Sequence, residues 1–125
     1  MAQTHQLVDA SSGDVIIAKL QLAETFWQRF RGLQLRRTLA SDEALLLRPC
    51  RSIHTHWMRF SIDVAMLDEM GVVLSVIHGQ RPWRFVPRTE GTHSIVEAAA
   101  GSLATRLDVG TRVQVASSGS DTSGC

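Results

Sequence analysis

The chain has no tyrosine, a single lysine (Lys19) among thirteen basic residues, three prolines and only two cysteines, Cys50 and Cys125, in 125 residues. Each shortage excludes something. Two cysteines without C-x-x-C spacing build neither a disulfide framework nor a cysteine zinc site, so both thiols are read as reduced and the location as cytoplasmic. No stretch approaches the ~20 apolar residues of a membrane helix, and residues 1–14 lack the basic start and apolar run of a secretory signal. No membrane association is expected. Thirteen basic and twelve acidic side chains leave a formal net charge of +1. That supplies no global field for a polyanion, so nucleic acid is not expected as a partner. The phosphate-loop, dinucleotide and nucleophile-elbow patterns G-x-x-x-x-G-K-[ST], G-x-G-x-x-G and G-x-S-x-G are all missing. Cys50 follows Pro49, with no helix start or partner motif to activate its thiol. No cofactor is therefore expected.

What is present is ordinary globular composition, 44% hydrophobic and 20% charged. The length predicts one soluble domain over residues 1–116, followed by a Ser/Gly-rich disordered tail, 117–125, with nothing to bury. Nothing in the sequence decides the oligomeric state, and a monomer is the default expectation.

Apolar runs separated by turn signals predict short strands. His5–Val8 and Val15–Leu20 flank the turn-forming Asp9–Asp14 cluster. Ala44–Leu47, Ile53–Met58, Ile62–Leu67, Val72–Ile77, Ser94–Ala98 and Thr111–Val115 read as further strands. Asp68-Glu69-Met70-Gly71 is a hairpin loop ending in glycine. Residues 80–91, with Pro82 and Pro87, read as a loop. Thr25 with Phe26, Phe30 and Leu33 at helical spacing predicts one short helix. Ser102 as a cap before Leu103–Leu107 predicts another. The expected fold is mainly β, a β-rich α+β domain: a compact sandwich or barrel of short, mostly antiparallel strands with two short helices.

Four segments in this order resemble a known family. They are Ala23–Leu33, ending Arg31-Gly32-Leu33; Ile53–Val64, carrying Trp57-Met58 and Ile62-Asp63-Val64; Pro82-Trp83-Arg84; and Ile95-Val96-Glu97 followed by Ala100-Gly101 and Val109-Gly110. Together they make the chain resemble, over residues 5–116, the bacterial and archaeal family called domain of unknown function 192. The resemblance implies a compact β-rich fold and no particular activity. Two positions depart from it: Ser61 stands where the family usually has proline, and His56 where it usually has an aromatic residue.

Several residues carry chemistry. His54-x-His56 on a strand would point both imidazoles to one face, the arrangement of a chelating pair, with His78, His93 or Glu97 as a third ligand. The glutamate that cupin-like sites place shortly after such a pair is missing, and a packed pair is the alternative; no metal is assigned. Asp63, between Ile62 and Val64, must be hydrogen-bonded or paired if buried. It serves either to pin its segment or as a base or ligand anchor. Glu97 sits in the similar setting Ile95-Val96-Glu97-Ala98, and with Asp63 it would form the carboxylate pair that acid–base chemistry needs.

Arg81-Pro82-Trp83-Arg84-Phe85-Val86-Pro87-Arg88 combines guanidinium groups, which grip carboxylate or phosphate, with a flat apolar ring. The alternative for this stretch is a loop that buries its aromatics and leaves its arginines in water.

The candidate binding set is His54, Thr55, Trp57, Asp63, Trp83, Arg84 and Glu97. Two classes of function follow. One is a small binding or accessory module for a small anionic ligand or an acidic protein surface. The other is a small-molecule enzyme using Asp63 and Glu97 as acid and base, with or without a metal on His54 and His56. A domain that works only inside a larger assembly is a third reading. Paired carboxylates at one site would favour the enzyme. An exposed patch around Trp83 and Arg84 would favour the binding module.

Overall fold

The computed structural model describes residues 5–25, 29, 38–55, 58–87, 89–103 and 106–117, His54 through its backbone alone. Nine strands run along these residues: β1 (His5–Asp9), β2 (Val15–Ala23), β3 (Glu43–Leu47), β4 (Ile53–His54), β5 (Ile62–Leu67), β6 (Val73–Gln80), β7 (Phe85–Val86), β8 (Ser94–Ala99) and β9 (Val113–Ser117). Seven form one mixed sheet in the order β6-β5-β8-β3-β2-β1-β9, and β4 and β7 form a separate two-stranded ribbon. All pairings are antiparallel except β2 with β3.

Strand position follows from side-chain pattern. β5, Ile-Asp-Val-Ala-Met-Leu, is buried at every position, as a strand covered on both faces must be. It lies between β6 and β8, and β8 is nearly as apolar. The edge strands β6 and β9 are mostly half-buried or exposed, and β2 alternates between buried and exposed positions. Two apolar layers cover the sheet. One face packs Leu20, Ala44, Leu46, Ala65, Val96 and Ala98 with Leu103 and Leu107. The other packs Leu45, Leu47, Ile62, Val64, Met66 and Ile95 beneath Leu39, Met58 and the ribbon residues Ile53 and Val86.

The expected hairpin loop between β5 and β6 is present. Asp68 accepts the N–H groups of Met70 (2.8 Å) and Val72 (2.9 Å) through Oδ1, and Gly71 turns the chain at φ 85°. A Cβ on Gly71 would lie 2.4 Å from the carbonyl oxygen of Val113, so both backbone angle and contact require glycine here. The same place joins the two edge strands at one end, through the Val72–Arg112 bridge and the bond from Val73 N–H to Thr111 O.

The β-rich, mostly antiparallel expectation holds at the level of one seven-stranded mixed sheet, whose edge strands β6 and β9 meet at one end, and a two-stranded ribbon. Two expectations need correction. The strand expected over Ile53–Met58 stops at His54, because Thr55 turns its polar groups toward residues 81–84 instead of a neighbouring ladder. The two short helices are not found among the described residues, where only Arg29 is helical, its N–H donating to Thr25 O.

At the second helix, the described residues 101–103 and 106 are bends and turns, with Leu103 O accepting the N–H groups of Arg106 and Leu107 (3.1 Å each). The Ser102 hydroxyl donates back to Ala99 O (2.7 Å), and residues 104–105, whose N–H groups a cap would accept, lie outside the described residues. The N–H groups of Gly101 and Leu103 are taken by Asp63. Most of the first expected helix and the tail beyond Ser117 lie outside the described residues. Among the described residues, no helix is long and apolar enough to cross a membrane.

Candidate functional site

The most elaborate local arrangement joins Thr55 to the loop after β6. Thr55 is 1% exposed. Its N–H donates to Arg84 O (2.7 Å), and its carbonyl accepts from Trp83 N–H (2.8 Å). Its hydroxyl accepts from Arg84 N–H (2.8 Å) and lies within hydrogen-bond reach of the carbonyls of Arg81 (2.7 Å) and Arg84 (3.1 Å). A hydroxyl has one proton and two lone pairs, so it donates to one of these carbonyls at a time. Four backbone groups of residues 81–84 are thus fixed on one buried side chain and its own peptide units.

The clamp holds Trp83 at φ 64°, the only non-glycine residue with positive φ among the described residues. A bulky residue in this region carries roughly 1–3 kcal/mol of strain, which persists only where surrounding bonds over-determine it. The result is display rather than burial. Trp83 is 51% exposed and Phe85 66%, with Arg81 and Arg84 exposed beside them. Val86, one residue on, is buried against Ile53 in the ribbon's underside, so the period-two alternation of β7 sends Phe85 to the outer side.

Asp63 is 0% exposed and fully engaged. Oδ1 accepts Gly79 N–H (2.9 Å), and Oδ2 accepts the N–H groups of Gly101 (3.0 Å) and Leu103 (3.1 Å). The half-exposed His78 ring lies 3.7 Å from Oδ2. Asp63 therefore ties the end of β6 and the 101–103 turn to β5.

Glu97 is in the opposite situation. It is 4% exposed, and its Oε1 is buried without a hydrogen-bond partner. Burial pushes its carboxyl up to about 7. Register separates the two acids. Asp63 pairs with Ala98 and Val64 with Glu97, so alternation puts Asp63 on the Ala98 face and Glu97 on the Val64 face. They do not form a pair.

Of the expected binding set, Thr55, Trp83 and Arg84 come together. Asp63 is on the far face of the sheet, and Glu97 lies on the face beneath the ribbon. Trp57, His56, Arg88 and the side chain of His54 fall outside the described residues. Among the described residues no three His, Cys, Asp or Glu side chains converge as a metal site requires. Sequence reasoning missed Cys50. Its thiol donates to Ser52 O (3.3 Å), packs against the same apolar layer as Val64 and Ile95, and is pushed up first by burial and then by the charge of Glu97. No local pattern links two residues brought together by strand order.

The family profile of domain of unknown function 192, described as an uncharacterised group, matches residues 7–115. The chain belongs to that family. A "UPF0127 protein" of Thermococcus sibiricus is 34% identical over 101 residues, covering 78% of this chain and 65% of the relative. The chain thus spans slightly under two thirds of that relative's length. A "UPF0127 protein" of Thermococcus gammatolerans is 33% identical over 107 residues, covering 82% of this chain and 69% of that one. A crystal structure of a protein of unknown function from Novosphingobium aromaticivorans superposes with a TM-score of 0.75 at 18% identity, over 89% of this chain and 83% of the other. At that identity the likeness is one of fold. The family of unknown function thus includes a member, this chain, with one clamped aromatic–arginine loop and two buried acids on opposite faces of its sheet.

Proposed function

We propose that this domain of unknown function 192 protein is a binding module that takes an oxyanion-bearing partner, a small anionic ligand or an acidic protein surface, on its Arg81–Phe85 loop. The observation that carries the reading is the backbone of Trp83, held in a strained conformation by the Thr55 clamp while its ring stands exposed. A loop that only closed the fold would relax this residue or bury its ring. Exposed neighbouring aromatics are uncommon on a surface without a partner. Tryptophan and arginine are the side chains that most often dominate contact energy. Arg81 and Arg84 supply the charge, Trp83 and Phe85 the apolar platform, and Thr55 the rigidity that limits ordering cost on binding.

The acid–base alternative lacks comparable support, because it needs Asp63 and Glu97 at one site. The test is a nuclear magnetic resonance titration of the labelled chain with inorganic phosphate and, separately, a polyglutamate peptide. The reading predicts shifts at the amides of Trp83, Arg84 and Phe85 that vanish in the R81A/R84A double variant. Shifts that avoid the loop, or survive the double substitution, count against it.

A further inference from the structure

The sheet face beneath the β4–β7 ribbon contains one carboxyl group with which the anion-binding reading has no use. Glu97 sits in the cross-strand row Gln21, Leu45, Glu97, Val64 and Ile77. Ile95 and Ala99 flank it along β8, and Ile53 and Val86 bring the underside of the ribbon to the same apolar layer. In that setting Oε1 is buried with no hydrogen-bond partner. The contrast with Asp63, which accepts three N–H groups, is sharp. Buried polar groups are overwhelmingly satisfied, and an exception calls for an explanation. Among the described residues, Glu97 Oε1 meets neither a donor nor a positive charge.

We propose that Glu97 anchors a binding site for a small primary amine with an apolar body, seated between the Leu45–Glu97–Val64 row and the underside of the β4–β7 ribbon, with the Cys50 thiol at its edge. An ammonium group supplies both the missing donor and the missing charge. An alcohol supplies only the donor, and a carboxylate or phosphate is repelled. The apolar body follows from the neighbours, which are Leu45 and Val64 across the strands and Ile95 along β8. Desolvation alone accounts for the raised titration of Glu97 to about 7, so no cation among the described residues neutralises it. Leu45 and Leu47 of β3, Ile62, Val64 and Met66 of β5, and Ile53 and Val86 of the ribbon bring no titratable group to it. Among the described residues, the titratable group that interacts with it is Cys50, which also feels Arg29 and is held toward its neutral thiol. This site is independent of the Arg81–Phe85 loop and opposite to it in preferred ligand charge.

The experiment is a magnetic resonance titration of the full chain with n-butylamine, 1-butanol and butyrate at pH 6 and pH 8. The site predicts shifts at the amides of Leu45, Val64 and Glu97 with butylamine alone. Affinity should rise about tenfold from pH 6 to pH 8 as the ionised, amine-competent fraction of Glu97 grows. Glu97→Gln should abolish the response, and should the variant fail to fold, the pH dependence of the unsubstituted chain still decides. Butanol acting as well as butylamine, a pH-independent affinity, or no response to any probe, as when only water meets Oε1, overturns the proposal.

Discussion

Asp63 and Glu97 lie on adjacent strands one register position apart, yet their carboxyl groups are on opposite faces of the sheet. One accepts three backbone N–H groups, and the other has a buried oxygen with no partner. The same side-chain chemistry therefore performs two unlike tasks. Each is separately testable.

For Asp63 the expectation is a loss of stability. Asp63→Asn exchanges one acceptor oxygen for an amide donor that faces backbone N–H groups. Hydrogen bonds to a charged acceptor contribute about 1.5–3 kcal/mol, and orphaned buried donors add to the loss. Urea unfolding should show a destabilisation of about 2–4 kcal/mol. An unchanged midpoint contradicts a structural role for Asp63.

For Glu97 the sign is reversed. Its carboxyl lies near 7 in the fold against 4.5 when exposed. Between those values the folded state holds the proton that the unfolded state has released. Stability is therefore full below about pH 4.5, declines as pH rises toward 7, and levels off above it. The accumulated loss is on the order of 3 kcal/mol. Glu97→Leu should be more stable than the parent at pH 8 and should flatten this part of the pH profile. Parallel stability–pH curves for the two proteins contradict the assignment.

The clamp makes its own prediction. Thr55→Val keeps the shape of Thr55 but removes the oxygen that accepts Arg84 N–H and reaches the Arg81 carbonyl. A cost of about 1–3 kcal/mol follows from leaving those groups unpaired. Amide exchange at Trp83 and Arg84 should speed up while β5 and β8 stay protected. Thr55→Ser should behave like the parent.

Gly71→Ala combines a positive φ with a Cβ 2.4 Å from Val113 O. Backbone must move to accept it, so thermal unfolding should report a loss of at least about 2 kcal/mol. Tolerance of alanine would mean that the β6 and β9 ends are not held together as described.

These particulars show what was legible in the sequence. The bounds of β5, Ile62–Leu67, and the Asp68–Gly71 turn are local patterns of apolar run and turn residue, and both appear as read. Membership of the family was legible too, from four short segments in order. Contacts distant in sequence were not legible. The turn over residues 101–103 is fixed by Asp63, which accepts the N–H groups of Gly101 and Leu103 from 38 and 40 residues away. The strand expected through Met58 ends where Thr55 meets a loop 26 to 29 residues later. The face on which Glu97 lies depends on the β5–β8 register, which neither segment carries alone.

Calorimetric titration of a polyglutamate peptide into the parent chain and into the R81A/R84A variant tests the binding reading most directly. Binding by the loop predicts at least about a tenfold weaker affinity in the variant, equivalent to 1.4 kcal/mol, with unfolding unaffected because both side chains are exposed. Equal affinities, or no heat of binding in the parent with either this peptide or phosphate, would contradict it.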